Sequence, residues 1–368
     1  MINSQRRLAI FLPGLYGGGA ERIMLNLAQG LAGRDYAVDL VLARSEGPFL
    51  AQVPETVRLV KLDGRRTLTS LPALVRYLRI EQPEAMLSAL SYANIITLWA
   101  RHLAGVPERV VITEHNTFSR NNQHVPSWYS RLLLWLVRRF YPWADGIVAV
   151  SKGVADDLAC VTGIPHERIK VIYNPVITPE LRQKAQAPLD HPWFQPGQSP
   201  VVLAVGRLTA QKDFTTLIQA FAQVRGLRQI RLMILGEGEE RPALEALVRK
   251  LDLEQAISLP GFVANPYPYI AHASVFALSS RWEGLPTALI EALYCHTFIV
   301  ATDCPSGPRE ILVDGQYGQL VPVGDASALA RAIEAVLAGK GSRPSPESWR
   351  PYEQEVVMNQ YIDILLES

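Results

Sequence analysis

The segment Arg281-Trp282-Glu283-Gly284-Leu285-Pro286-Thr287-Ala288-Leu289-Ile290-Glu291 sets two carboxylates seven residues apart, across a glycine-proline turn that enters an apolar stretch. Proline suits the first turn of a helix, so Glu283 should stand in the preceding loop and Glu291 on the helix about a turn and a half later. The N–H groups of the Gly284 to Ala288 stretch then lie at the positive end of the helix dipole and form an anion site suited to a diphosphate. Carboxylates that can reach hydroxyls beside a diphosphate site are what a sugar nucleotide requires.

Other residues could join this chemistry. Arg207 and Lys212 follow the strand-like run Val201–Val205, at the end of a strand where open α/β folds bind ligands. Arginine can grip phosphate oxygens in pairs and lysine adds a mobile point charge, so the two would stabilise a departing diphosphate; a solvated surface pair is the alternative. Gly17, Gly18 and Gly19 follow the run Leu8–Leu12 and open a helix, which lets backbone approach a ligand closely. They miss the G-x-G-x-x-G spacing because position 22 is Arg, and no acid stands at the end of the second strand to hold a ribose, which argues against a nicotinamide dinucleotide. A plain strand-to-helix turn is the other reading. His115 and Asn116 follow the strand Val110–Thr113; a lone histidine is more often structural. Ser151 reads as a helix cap.

In chain order, Gly17-Gly18-Gly19-Ala20-Glu21-Arg22, Thr113-Glu114-His115-Asn116, Ser151-Lys152, Tyr173-Asn174-Pro175, Gly206-Arg207-Leu208 with Lys212, Gly236-Glu237-Gly238-Glu239, the Glu283 to Glu291 segment and Pro305-Ser306-Gly307-Pro308-Arg309-Glu310 resemble the motifs of the retaining GT-B glycosyltransferases of family 4 (glycosyl transferases group 1). The resemblance spans nearly the whole chain. It implies two Rossmann-like domains with parallel sheets facing across a cleft. It further implies that Glu291 accepts hydrogen bonds from the ribose hydroxyls and that Glu283 contacts the donor sugar. Arg207 and Lys212 would hold the diphosphate, and Phe262 with Val263 the base. Gly236 would line the donor site with Gly284, Leu285, Pro286 and Thr287, while Gly18 and Gly19 would face the donor phosphates and His115 the sugar. Ser306 stands where many relatives have glycine.

The implied reaction moves a hexose or N-acetylhexosamine from a nucleoside-diphosphate sugar, UDP favoured, to a glycan or lipid-linked glycan. An α-linkage would form by front-face displacement, in which the leaving diphosphate takes the acceptor's proton and the protein positions the reactants and stabilises charge. No Asp-x-Asp pair is placed to hold a metal-diphosphate, so no cofactor or metal is expected. The alternatives are a synthase with a soluble sugar acceptor and a catalytically inert GT-B binding protein.

The elements needed to position these groups are legible as α/β alternation. Apolar runs at Leu8–Leu12, Val38–Leu42, Ala85–Leu90, Val110–Thr113 and Gly146–Val150 have helical patterns between most of them, and the alternation restarts at Val201–Val205, Arg231–Leu235, Ala273–Leu278 and Phe298–Ala301. Continuous apolar strands indicate burial on both faces and hence parallel sheets. We expect a first domain over 1–176, a proline-rich linker over 177–199, a nucleotide-sugar domain over 200–345, and a C-terminal helix over about 346–368 that, by the resemblance, crosses back onto the first domain.

The 368 residues suit two domains, and a formal net charge of +1 offers no global field for nucleic acid. The three cysteines, Cys160, Cys295 and Cys304, have neither zinc nor disulfide spacing, and no export signal precedes the first strand, so a cytoplasmic protein is expected. No apolar stretch approaches the roughly 20 residues that span a bilayer. The basic-aromatic stretch Trp128–Trp143 leaves two readings open: a helix lying on an anionic membrane, as a peripheral protein on its inner face would need, or an ordinary core helix with Arg138 and Arg139 exposed.

Overall fold

The computed structural model describes residues 6–121 and 127–367. The chain forms two compact units, one of 1–175 with 352–368 and one of 176–351. The first holds strands β1 (Arg7–Leu12), β2 (Ala37–Leu42), β3 (Val57–Lys61), β4 (Ala85–Ala89), β5 (Arg109–Glu114), β6 (Gly146–Ala149) and β7 (Ile169–Val171) in one sheet of order β3-β2-β1-β4-β5-β6-β7. The second holds β8 (Val201–Val205), β9 (Arg231–Leu235), β10 (Ile257–Gly261), β11 (Val275–Leu278), β12 (Ile299–Thr302) and β13 (Gln319–Val321) in the order β10-β9-β8-β11-β12-β13. Every pairing between neighbouring strands is parallel.

Four strands do not stand out as apolar runs: β3, β7, β10 and β13. All four are sheet edges. An edge strand is covered on fewer sides, and their burial is correspondingly broken, with exposed residues inside β3, β7 and β10, whereas β4 and β6 are buried throughout.

Helices cover the sheets with one apolar stripe each. In Gly19–Ala32 the buried side chains Ile23, Met24, Leu27, Ala28 and Leu31 recur at helical spacing. In the second unit, Leu217, Phe221 and Val224 of Phe214–Arg225 and Leu329, Ile333 and Val336 of Ala326–Leu337 join one apolar core with β8, β9 and β11. Helices Ser91–Ala104 and Lys152–Thr162 end on Gly105 and Gly163, both left-handed, where glycine pays no Cβ penalty.

The helix Gln354–Leu366 belongs to the first unit. Val357, Met358 and Tyr361 are completely buried. Gln354 Nε2 donates to Asn26 O at 3.0 Å, and Arg109 Nε donates to Ile364 O at 2.8 Å. The short helix Pro346–Trp349 lies in the second unit instead. So does the segment 177–199, which carries the helix Pro179–Ala185, receives a hydrogen bond from Asn265 Nδ2 at Lys184 O, 3.0 Å, and sets Phe194 edge-on to Tyr269.

Because Tyr361 is sealed in the first unit, Tyr361→Ala should cost about 3–5 kcal/mol in urea unfolding of that unit, as truncation of a large buried aromatic does. A loosely docked tail would lose less than about 0.5 kcal/mol.

Candidate functional site

In the second unit, the sequence-predicted residues gather at the C-terminal ends of β8, β9, β10 and β11, four adjacent strands. After β8 the chain turns back on itself twice, with Thr209 N donating to Arg207 O and Lys212 N to Thr209 O at 2.9 and 3.0 Å. This loop is braced from both sides. Leu208 N donates to Glu237 O and Glu240 N to Leu208 O, each at 2.9 Å, while Arg281 N donates to Gln211 O and Ser279 Oγ to Lys212 O at 2.8 and 2.7 Å. Gly236, at φ +148°, makes the first brace possible, because a Cβ there would stand 1.9 Å from Gly206 O.

Glu283 is buried in the loop before the helix Thr287–Tyr294, as its sequence position predicts. Lys212 Nζ donates to its Oε1 at 2.6 Å, Ser280 Oγ to the same oxygen at 2.6 Å, and Gln211 Nε2 to Oε2 at 3.4 Å. A buried charge needs partners of this kind. Gln211 also bonds Trp282 O at 2.9 Å, which fixes the loop as well as the carboxylate. Arg207 is exposed and has no side-chain partner among the described residues. Phe262 is 69% exposed beyond β10, with Val263 half-buried beside it. Gly284, Leu285 and Pro286 are buried, Thr287 is half-buried, and Glu291 is half-buried on the helix.

The loop after β12 clamps the segment between the glutamates. Ser306 Oγ donates to Gly284 O at 2.8 Å, and a Cβ on Gly307, at φ +90°, would lie 2.5 Å from Pro286 Cδ. The glycine needed for close approach is therefore Gly307, and the serine at position 306 contributes a hydrogen bond. Arg309 turns to the surface and pairs with Asp303 and Asp314.

In the first unit, Gly18 caps the helix Gly19–Ala32, and the Glu21 carboxylate accepts from Gly18 N. His115 lies just past β5, 7% exposed, with Nε2 3.4 Å from Thr113 Oγ1 and Nδ1 buried without a hydrogen-bond partner among the described residues. Burial lowers its pKa to about 4, so the ring is neutral near pH 7. Ser151 caps Lys152–Thr162 by accepting from Val154 N at 3.2 Å, the structural role read from sequence. Thus Gly18, Gly19 and His115 lie on one unit and the remaining predicted residues on the other.

Beside His115 stands Glu114, to which its position in the sequence assigns no role. In the structure its buried carboxyl accepts hydrogen bonds from Tyr141 Oη, from Asn94 Nδ2 at 3.2 Å and from Ser91 Oγ at 3.2 Å. These donors come from segments far apart in sequence, so no local pattern reveals them. Burial raises the Glu114 pKa to about 7 against the lowering effect of the three donors. Leu90, which precedes Ser91, takes φ +79°, a strained value for leucine.

The outer face of the helix Ser127–Phe140 exposes Trp128, Tyr129, Leu132 and Trp135, while Leu133 and Val137 are buried. Arg131, Arg138 and Arg139 are exposed around that face, with Arg138 Nε donating to Val161 O at 2.6 Å. The helix is packed through Leu133 and Val137, as the core-helix reading expects, and leaves Trp128, Leu132 and Trp135 exposed. Among the described residues no helix is long and apolar enough to cross a membrane.

Glu114 and His115 predict a pH dependence. Between the ordinary carboxyl value of 4.5 and about 7, the unfolded chain has lost the Glu114 proton and the folded chain keeps it, so this group weakens folding as pH rises through that window. His115 acts oppositely, strengthening folding as pH rises from about 4 to 6.5. Their overlap hides both in the wild type. The difference in unfolding free energy between Glu114→Gln and wild type should therefore shift in favour of the variant by up to about 1.4 kcal/mol per pH unit across the Glu114 window and level off above pH 7. A difference independent of pH would show that Glu114 titrates normally.

The family described as "Glycosyl transferases group 1" matches residues 189–356, and "Glycosyltransferase Family 4" matches residues 17–179. The chain is 30% identical over 351 residues to the N-acetylgalactosamine-N,N'-diacetylbacillosaminyl-diphospho-undecaprenol 4-alpha-N-acetylgalactosaminyltransferase of Campylobacter jejuni, with 90% of each chain covered. It is 29% identical over 333 residues to the lipopolysaccharide core biosynthesis glycosyltransferase LpsE of Rhizobium meliloti, covering 89% of this chain and 87% of that one. Among solved structures, Anabaena Alr3699/HepE in complex with UDP and glucose matches with a TM-score of 0.81 at 20% identity, over 98% of this chain and 99% of that one, a likeness of fold. With two parallel-sheet Rossmann-like units and relatives that match along nearly its full length, this chain belongs to the GT-B glycosyltransferases of family 4.

Proposed function

We propose that the protein transfers a hexose or N-acetylhexosamine, with retention and an α-linkage, from a nucleoside-diphosphate sugar to a lipid-linked glycan. The observation that carries this reading is the buried Glu283 carboxylate held by Lys212 at 2.6 Å, in the same loop as the exposed Arg207, which has no side-chain partner among the described residues. Glu283 is pinned by three donors, two on Oε1 and one on Oε2, and offers its remaining lone pair on Oε2 to a hydroxyl of the donor sugar. Lys212 has two further N–H donors and Arg207 a complete guanidinium fork, so both are equipped for diphosphate oxygens. As the bond to the leaving diphosphate breaks, negative charge grows on those oxygens, and cations already in place stabilise it without reorganisation. The departing phosphate oxygen then takes the acceptor hydroxyl's proton on the same face of the sugar. In this reading the two side chains supply the charge that a metal supplies elsewhere, Glu291 takes the ribose hydroxyls, and Phe262 packs on the base. UDP is favoured as the nucleotide, which the UDP complexes of similar folds support.

The lipid-linked acceptor is supported by the diphospho-undecaprenol acceptor in the name of the Campylobacter jejuni relative and by the outer face of Ser127–Phe140. Trp128, Leu132 and Trp135 stand at helical spacing in one exposed stripe, ringed by arginines, a pattern that suits the boundary of an anionic bilayer on its cytoplasmic face.

A panel of UDP-, GDP-, ADP- and dTDP-sugars, screened by thermal shift and donor hydrolysis with and without EDTA, should give one nucleotide whose effect survives EDTA. Lys212→Ala should then lower kcat about 10²–10³-fold, as loss of one transition-state donor does. Glu291→Ala should chiefly raise the donor KM. Near-wild-type kinetics in both variants would remove the assignment, and activity abolished by EDTA would replace the metal-free mechanism. Separately, the protein should float with vesicles containing phosphatidylglycerol and not with pure phosphatidylcholine, and Trp135→Ser with Arg138→Glu should abolish flotation. Equal flotation of that double variant would move the membrane contact elsewhere.

A further inference from the structure

The two oxygens of the Glu283 carboxylate are held unequally. Lys212 Nζ and Ser280 Oγ both donate to Oε1, each at 2.6 Å, whereas Gln211 Nε2 alone donates to Oε2 among the described residues, at 3.4 Å. The difference matters because the last torsion of a glutamate is broad and lacks sharp staggered wells. Two donors on one oxygen locate that oxygen and leave the other free to swing about it. A donor on the second oxygen stops the swing. Oε2 is also the oxygen that keeps a lone pair for a hydroxyl, since Oε1 already accepts twice.

Gln211 is fixed at both its backbone and its side chain. Its carbonyl oxygen accepts from Arg281 N at 2.8 Å, and its Nε2 also donates to Trp282 O at 2.9 Å. Both side-chain contacts are acceptors, so the NH2 end of the amide must face them, and its two N–H groups are both used. At 3.4 Å the contact with Glu283 is at the long end for a hydrogen bond, so it steers Oε2 while leaving that oxygen a strong acceptor. The charged groups of the two segments 207–213 and 279–283 are Arg207, Lys212, Asp213, Arg281 and Glu283, with Arg281 Nε on Asp213 Oδ2 at 3.0 Å. A further cation at position 211 would compete with a sugar hydroxyl for Oε2, and a further carboxylate would repel Glu283. An amide does neither.

We propose that Gln211 is a positioning residue for glycosyl transfer, setting the rotation of the Glu283 carboxylate so that Oε2 meets one hydroxyl of the donor sugar. The assignment rests on the glycosyl-transfer reading above, in which Glu283 contacts that sugar. Gln211 acts through Glu283 and touches no reacting atom. Its effect therefore belongs to the sugar and not to the nucleotide. A sugar displaced by about 1 Å loses rate steeply, so fixing this rotation matters more to turnover than one long hydrogen bond matters to folding.

The test measures UDP affinity and the hydrolysis of UDP-glucose and UDP-N-acetylgalactosamine by the full chain. Gln211→Met keeps the side-chain length and removes both donors. It should lower kcat roughly ten- to hundredfold and leave UDP affinity within about twofold. Ser280→Ala should cost less, because Lys212 still holds Oε1. Gln211→Glu adds a readout that a purely structural role cannot give. Two carboxylates in hydrogen-bond range resist ionising together, so the pair retains a proton, and when position 211 carries it a donor to Oε2 is restored. The kcat ratio of Gln211→Glu to Gln211→Met should then rise as pH falls from about 8 to about 5.5, by up to about tenfold per unit. Wild-type kcat in Gln211→Met, a loss of UDP affinity there as large as the loss of kcat, or a ratio flat with pH would overturn the positioning role, while hydrolysis by wild type keeps the transferase reading. Wild type that neither binds UDP nor hydrolyses either sugar nucleotide would instead overturn the transfer reading with UDP, and this role with it.

Discussion

The burial of one carboxylate governs the second unit's edge. Glu283 is 5% exposed, and an unpaired charge at that depth would cost several kcal/mol. The chain meets that cost with Lys212, Ser280 and Gln211, and each partner imposes a constraint in turn. Lys212 must come from the loop after β8, Ser280 from the end of β11, and these strands are neighbours in the sheet. Gln211 reaches the backbone of Trp282. The tight turns of Arg207 to Lys212, the glycine at 236 that lets the adjacent loop touch them, and the clamp of Ser306 and Gly307 on the glutamate loop all follow from keeping this pair in register.

Glu114 shows what the same residue type becomes with other partners. It is equally buried, but the donors to its carboxyl are two hydroxyls and an amide, none of them cationic. Neutral donors offset desolvation only in part, so its proton is held to about pH 7. The neighbouring His115 is neutral for the same reason, since burial disfavours its charged form. At the end of β5 burial thus keeps the histidine neutral near pH 7 and holds the carboxyl's proton up to about pH 7, while Lys212 and Glu283 at the end of β8 and β11 form an ion pair.

These differences explain what could be read from the sequence. Central strands such as β1, β4 and β8 are covered on both faces and show as apolar runs; β3, β7, β10 and β13 are edges and do not. Glu283, Arg207 and Lys212 were legible because their spacing to strand ends and to a proline-led helix is local. The partners of Glu114 were not, because Ser91, Asn94 and Tyr141 approach it only through the order β4-β5-β6 and the helices between. The helix Ser127–Phe140 was ambiguous for a different reason. Its apolar residues cover more of the circumference than one core contact can bury, and period alone cannot say which stripe faces inward.

The two units also differ in the kind of substrate their edges suit. The second presents Arg207 and Lys212, groups whose value lies in meeting phosphate charge. The first holds a neutral imidazole and a carboxyl that keeps its proton to about pH 7, both buried at the end of β5. A neutral imidazole adds no positive charge for a phosphate to meet, so in the proposed reading the charged leaving group belongs on the second unit. Glycosyl transfer needs this division. The donor's leaving group must find positive charge as its bond breaks, whereas the acceptor must be oriented without being bound so strongly that the lengthened glycan cannot leave.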